Sequence, residues 1–162
     1  MNEVERSQEV AAPAAVVWSV LEDVGLLPTF SPSTVEVNAP ARLERVGQEF
    51  EQVVELAGRR FRSTWTVEAI DPGRCLVITG SVLPGTKYRM TEMIEPLGPD
   101  RSRVGLVMAY KLPFGPLGRL AAKLGVETRA VAEVELVLAG VARAAEAQVA
   151  RRLDVPVPGQ PS

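Results

Sequence analysis

Between Gln48 and Leu112 apolar and polar residues alternate with a period of two, and beyond Gly125 the period lengthens to three and four. In the first regime Phe50, Gln52, Val54 and Leu56 share a face opposite Glu49, Glu51 and Glu55, the pattern of a half-buried antiparallel strand. Arg60 to Ile70 repeats it, with Phe61, Ser63, Trp65, Val67 and Ala69 on one side and Arg60, Arg62, Thr64, Thr66 and Glu68 on the other. Tyr88, Met90, Glu92 and Ile94 form a further face, and Val104, Leu106, Met108, Tyr110 and Leu112 the last. Between them Arg74 to Val82 is apolar on both sides. Ala57-Gly58-Arg59, Asp71-Pro72-Gly73, Leu83-Pro84-Gly85 and Pro96 to Asp100 are turn signals, so successive strands form a meander. Thr34 to Arg42 and Glu3 to Ala11 add two strands, the latter with Val4, Arg6, Gln8 and Val10 on one face.

In the second regime Glu127 to Arg152 contains no proline, and Val131, Val134, Leu138, Val141, Ala145 and Val149 fall on one side of a helix. Arg129, Glu133, Arg143, Glu146 and Arg151 fall on the other. Such a helix is about 39 Å long at its ordinary rise per residue, too long for a short partner to cover. A curved antiparallel sheet must lie beneath it. Before it, Phe114, Leu117, Leu120, Ala121 and Leu124 oppose Arg119 and Lys123, which reads either as a gate over the space below or as a helix packed permanently on the sheet. Near the start, Ala12-Pro13 opens a helix with the stripe Val16, Val17, Val20, Leu21 and Val24. The LLPTFSPS segment then forms a short helical turn, and the pair closes one end of the sheet.

The 162 residues and 46% hydrophobic content suit one domain, residues 1–153, followed by a Pro-rich tail, 154–162, expected to be disordered. A net charge of −2 without a long basic run argues against nucleic acid as a partner. One cysteine, Cys75, permits no internal disulfide and suggests a reducing compartment. The charged, alternating MNEVERSQEV stretch lacks a signal-peptide core, and no run is long enough for stable membrane insertion, so the expected location is cytoplasmic. The chain has no histidine. That excludes Ser-His and Cys-His nucleophile pairs and removes the commonest ligand for catalytic metals. Neither metal nor cofactor is expected, and proton transfer must use carboxylates, tyrosine, lysine, arginine or water.

Five motifs occur in a telling order: APAAVVWSVLED after a first strand, P-x-F-S-P, V-G before a charged strand, V-E-A-I-D-P-G-R-C-L, and Y-K-L-P-F-G-P-L-G-R-L before the long helix. Over residues 2–152 the chain resembles the polyketide cyclase/dehydrase-like branch of the SRPBCC (START-like, birch-pollen-allergen-like) superfamily. The resemblance implies an α+β helix-grip fold: a seven-stranded curved antiparallel sheet wrapped around a long C-terminal helix, with two short helices after the first strand and an apolar cavity between the layers. Thr29-Phe30 departs from many relatives, which carry tryptophan before the serine-proline. The superfamily includes aromatic polyketide cyclases and dehydratases, lipid and sterol carriers, and hormone receptors, so the resemblance implies a hydrophobic small-molecule ligand without fixing a reaction.

If the apolar strand faces line such a cavity, alternation brings Arg6, Gln8, Gln52, Ser63, Trp65, Tyr88, Glu92 and Tyr110 inward as well. Glu92, between Met90 and Ile94, is the sharpest candidate for an acid or base, since desolvation raises a carboxyl pKa; the alternatives are a salt bridge to Arg6 or another arginine, or a place near an open strand end. Tyr88 and Tyr110 could donate to a substrate carbonyl or simply pack their rings. Trp65 reads as a stacking wall or as core. Arg6, Gln52, Phe61, Ser63, Trp65, Met90, Met108, Leu138 and Val141 are the expected ligand contacts. Gly140 interrupts the long helix either for a close backbone or for a guest. Three function classes remain open: a cofactor-independent cyclase or dehydratase, a non-catalytic carrier or sensor of a lipid or quinone, and a protein-binding module. The chain itself is expected to be a monomer or homodimer.

Overall fold

The period-two runs and the helical run become the two layers of the fold. The computed structural model describes residues 2–154. It begins with β1 (Asn2–Val10), α1 (Ala14–Leu21), a 3-10 turn (Val24–Leu26) and α2 (Leu27–Phe30). The sheet continues with β2 (Thr34–Asn38), β3 (Glu49–Leu56), β4 (Arg59–Asp71), β5 (Cys75–Gly80), β6 (Lys87–Gly98) and β7 (Arg101–Lys111). Two helices end the described chain, α3 (Pro116–Lys123) and α4 (Val126–Asp154). The strands form one antiparallel sheet in the order β1-β7-β6-β5-β4-β3-β2. This is the expected helix grip: β2 to β7 are a meander, and β1 returns to pair with β7. Of the expected tail, 154–162, Asp154 ends α4, and 155–162 lie outside the described residues.

Local chemistry explains the departures from simple alternation. A bulge between Val67 and Ala69 on β4 leaves Ala69 exposed and turns Ile70 inward, because one extra residue reverses which face follows. The expected strand from Thr34 ends at Asn38, well short of Arg42. There Leu43 tucks under α1, its amide donating to the Glu22 carbonyl at 2.9 Å, and its side chain is buried.

The position of α4 determines where the core is solid. The helix packs on β1, β7, α1 and α2, not along β3, β4 and β5. Val134, Leu138, Val141 and Ala145 are buried as the helical period predicts. A second face, Val126, Ala130 and Val137, is also buried although its polar neighbours Arg129 and Glu133 mark it as the outer side in the sequence. On that face the helix stands over the unfilled part of the sheet.

Candidate functional site

A cavity of about 300 Å³ lies between α4 and the concave face of β3 to β6, closed at one side by α1 and α2. Most of its wall is apolar: Val20, Leu21 and Val24 from the α1 region, Leu76 and Ile78 from β5, Met90 and Met108 from β6 and β7, and Val137 and Val141 from α4. Apolar walls with a few polar groups are what a hydrophobic ligand needs to be held in one orientation.

Glu92 is the buried carboxyl group in this wall. It sits mid-strand on β6, with Leu76 of β5 and Leu106 of β7 opposite it in register, both almost fully buried. Only 9% of the residue is accessible. Among the described residues no cation or hydrogen-bond donor reaches its carboxylate, whose oxygens look onto the cavity. Burial in these surroundings disfavours the charged form and pushes its pKa from 4.5 up to about 7.

The second feature is a row of aromatic rings laid across five strands. Phe50 is opposite Trp65, Trp65 opposite Gly80, Gly80 opposite Tyr88, and Tyr88 opposite Tyr110. Successive ring centroids are 6.4 Å (Phe50 and Trp65), 6.2 Å (Trp65 and Tyr88) and 6.0 Å (Tyr88 and Tyr110) apart. Such pairs each add about 0.5–1.5 kcal/mol beyond simple burial. The row skips a strand because Gly80 has no side chain: a β-carbon there would stand 2.5 Å from Trp65 Cδ2. Trp65 is fixed by its Nε1–H, which donates to Ser63 Oγ at 3.0 Å, while Ser63 Oγ donates to the Gln52 carbonyl at 3.3 Å. Burial pushes the Tyr88 phenol up to about 12, so it remains a protonated donor.

The mouth is built from α2, the loop into β2, and the N-terminal half of α4. Phe30 occupies the notch at Gly140, where a β-carbon would fall 1.9 Å from Phe30 Cβ. That notch therefore holds a side chain of α2, neither a crossing backbone nor a guest. Glu133 accepts from Ser31 Oγ and from Ser33 Oγ, the latter at 2.8 Å; the Ser31 and Thr34 hydroxyls are 2.8 Å apart. These bonds tie the loop to α4. Glu133→Ala is expected to lower stability by about 1–3 kcal/mol by removing the charged acceptor that Ser31 and Ser33 share, and to speed amide exchange at Ser31 to Thr34. Unfolding in urea and hydrogen exchange measure both; unchanged protection of that segment would show that the carboxylate does not hold the mouth.

The sequence-derived site residues divide into three groups. Gln52, Trp65, Tyr88, Met90, Glu92, Met108 and Val141 line the cavity. Ser63 and Tyr110 stand behind it, one orienting Trp65 and the other stacked on Tyr88, while Leu138 is spent on the solid core. Phe61 lies half-buried outside the lining, opposite Val54. Arg6 is corrected outright. It is exposed on the edge strand β1 and pairs with Glu135 of α4 at 3.4 Å, because β1 packs against the helix itself and not along the hollow part of the sheet. Strand alternation alone missed Gly80, Arg129, Glu133 and the Ser31, Ser33 and Thr34 hydroxyls. Only Gly80 carried a usable signal, a glycine inside a strand marking a close approach. Among the described residues no group of three or more carboxylate or thiol side chains is placed to hold a metal ion, and no helix is long and apolar enough to cross a membrane.

Comparison with known proteins bears on the same arrangement. The sequence profile described as polyketide cyclase / dehydrase and lipid transport matches residues 1–146. An uncharacterised protein of Mycobacterium tuberculosis is 36% identical over 78 residues, 48% of this chain and 54% of that protein. The chain thus spans about half the length of the curated relative it matches. Among solved structures, the Zhui aromatase/cyclase from Streptomyces sp. R1128 superposes with a TM-score of 0.78 at 22% identity, covering 91% of this chain and 95% of that one. A START superfamily protein from Mycobacterium smegmatis gives a TM-score of 0.60 at 24% identity, with coverage of 93% and 98%. At these identities the structural likeness establishes the fold.

Proposed function

The chain belongs to the polyketide cyclase / dehydrase and lipid transport family, and we propose that it binds a poly-carbonyl hydrophobic compound in the cavity and catalyses its cyclisation and dehydration. The observation that carries this reading is Glu92, a buried carboxyl lining an apolar cavity without a cationic partner among the described residues. A carboxylate kept only for structure is paired, since an uncompensated buried charge is costly. With a pKa of about 7 it is divided between base and acid near neutrality, the condition a proton carrier needs.

The chemistry then runs as follows. Glu92 removes a proton from a carbon between two carbonyls of the folded chain. The resulting enolate carbon attacks a second carbonyl carbon, forming the new C–C bond, and Glu92 returns its proton to the alkoxide. A second proton removal from the same carbon forms the C=C bond as hydroxide leaves, and the proton now on Glu92 completes a molecule of water. Tyr88 is four residues from Glu92 on the same strand face, roughly 13 Å away. It cannot share an atom with Glu92 and instead donates to a carbonyl at the other end of the ligand, against the Trp65 wall. The cavity contributes by holding the chain bent, so that the two reacting carbons meet.

A synthetic linear poly-β-ketone thioester is the probe. Glu92→Gln is expected to lower kcat about 10²- to 10⁴-fold with KM little changed, whereas Tyr88→Phe should act mainly on KM. Wild-type turnover by Glu92→Gln would remove the proton-transfer role. The second reading, a carrier of a neutral lipid or quinone, draws on the mostly apolar wall. It predicts a hydrophobic compound retained through mild purification and seen by native mass spectrometry, with no turnover of the probe.

A further inference from the structure

At the end of the sheet where β7 leaves for α3, the surface carries an exposed apolar tip and several exposed cations. Phe114 is 93% exposed and Leu117 44% exposed, in a fold that buries most of its large apolar side chains. The turn between β5 and β6 abuts this tip, since a β-carbon on Gly85 would lie 3.0 Å from Pro113 and 3.7 Å from Leu117. Next to that turn Lys87 is directly opposite Lys111 in the β6–β7 register. Arg119 and Lys123 project from α3 and are exposed.

The charges are segregated. From Arg101 through Val126 the sequence contains five basic residues and no carboxylate, although the whole chain is net acidic at −2. Arg101 and Arg103 are taken up by Glu9 and Glu95 at the far end of the strands. Lys87, Lys111 and Arg119 are in no ion pair among the described side chains; the carboxylate nearest in strand register, Glu3, stands opposite Ala109. Beneath the tip Ala121 of α3 and the following Leu124 are buried, while Phe114 and Leu117 are already exposed.

We propose that this end of the molecule docks on an anionic lipid surface, with Phe114 and Leu117 entering the headgroup region and the four cations lying over lipid phosphates. Aromatic and aliphatic tips flanked by lysine and arginine suit that boundary, because the stems of the cations cover apolar surface while their heads reach charge. A second copy of the chain fits poorly. A two-fold contact would set the same cations against one another. The docking is independent of the chemistry at Glu92 and concerns a different set of residues.

Sedimentation with vesicles tests it. Binding is expected to equal mixtures of phosphatidylglycerol and phosphatidylcholine, with affinity about tenfold lower or worse on phosphatidylcholine alone and in high salt. Phe114→Ala/Leu117→Ala should reduce binding about tenfold while retaining the wild-type circular dichroism and cavity chemistry, both residues lying outside the core. Lys111→Gln/Lys123→Gln should weaken binding and flatten its salt dependence. Failure of the wild-type protein to sediment with anionic vesicles, equal affinity for neutral ones, or wild-type binding by the Phe114/Leu117 variant would each overturn the proposal. Light scattering that shows a dimer dispersed by that variant, without vesicle binding, would assign the surface to a second copy instead.

Discussion

Glu92→Gln is expected to make the protein more stable than the wild type at pH 8 and no more stable at pH 4. The folded chain holds the Glu92 proton with a pKa of about 7, against 4.5 for an unburied carboxyl, and desolvation is the cause. Between those values the folded state binds more protons than the unfolded one, so stability falls as pH rises. The cost of ionising this buried group is absent below pH 4.5, grows between 4.5 and 7, and is fully present above 7. Its size is about 3 kcal/mol, a large share of an ordinary domain's stability. Glutamine has nearly the same shape and never ionises, so the variant escapes that cost. Paired urea titrations at pH 4, 6 and 8 measure the difference. A variant that is less stable at pH 8 would mean that the carboxylate has a partner in solution, and the argument for a free proton carrier would fall with it. Together with the kinetic loss expected for the same substitution, this would show a residue that is costly to the fold and useful to the site, a combination familiar from catalytic groups.

A single methyl group at Gly80 should disturb the aromatic row more than any change on the outer face of the sheet. In Gly80→Ala the new β-carbon would meet Trp65 Cδ2 at 2.5 Å, Trp65 Cε3 at 2.7 Å and the Thr64 carbonyl oxygen at 2.9 Å. The indole cannot simply swing away, because its Nε1–H is held by Ser63 and its faces by Phe50 and Tyr88. Overpacking of this kind costs about 1–3 kcal/mol. The expected signs are a lower urea midpoint, altered tryptophan emission, and weaker retention of any ligand stacked on Trp65. Trp65→Leu should cost less in the Gly80→Ala background than in the wild type, since it removes the ring that the new methyl meets. Should the double variant instead show the two single losses simply added, the contact between Gly80 and Trp65 would not be the cause.

How much of this was legible beforehand can be judged from particular residues. The alternation around Trp65, Glu92 and Met108 placed those side chains on the inner face, because a strand has only two faces and the buried one must be apolar. The same rule misplaced Arg6: periodicity tells which way a side chain points, but not whether the strand is at an edge. It also misplaced Ala69, since a bulge leaves no mark on the pattern of hydrophobicity. Glu133 and Arg129 looked like solvent-facing helix positions because their neighbours are charged; they border the cavity because α4 crosses the sheet over β1 and β7 and overhangs the rest.

The sequence by itself determined the succession of strands and helices, their short turns, the absence of any histidine chemistry, and the inward direction of Glu92. These are local matters, decided by backbone periodicity and side-chain type. The tertiary structure alone decided that the interior is partly hollow, that Glu92 has no cation beside it among the described residues, and that Gly80 and Gly140 make room for Trp65 and Phe30. The physical reason is distance along the chain: the partners that fill a gap, neutralise a charge or need a notch lie on strands and helices far apart in sequence, and only the crossing angle of helix over sheet brings them together or keeps them apart.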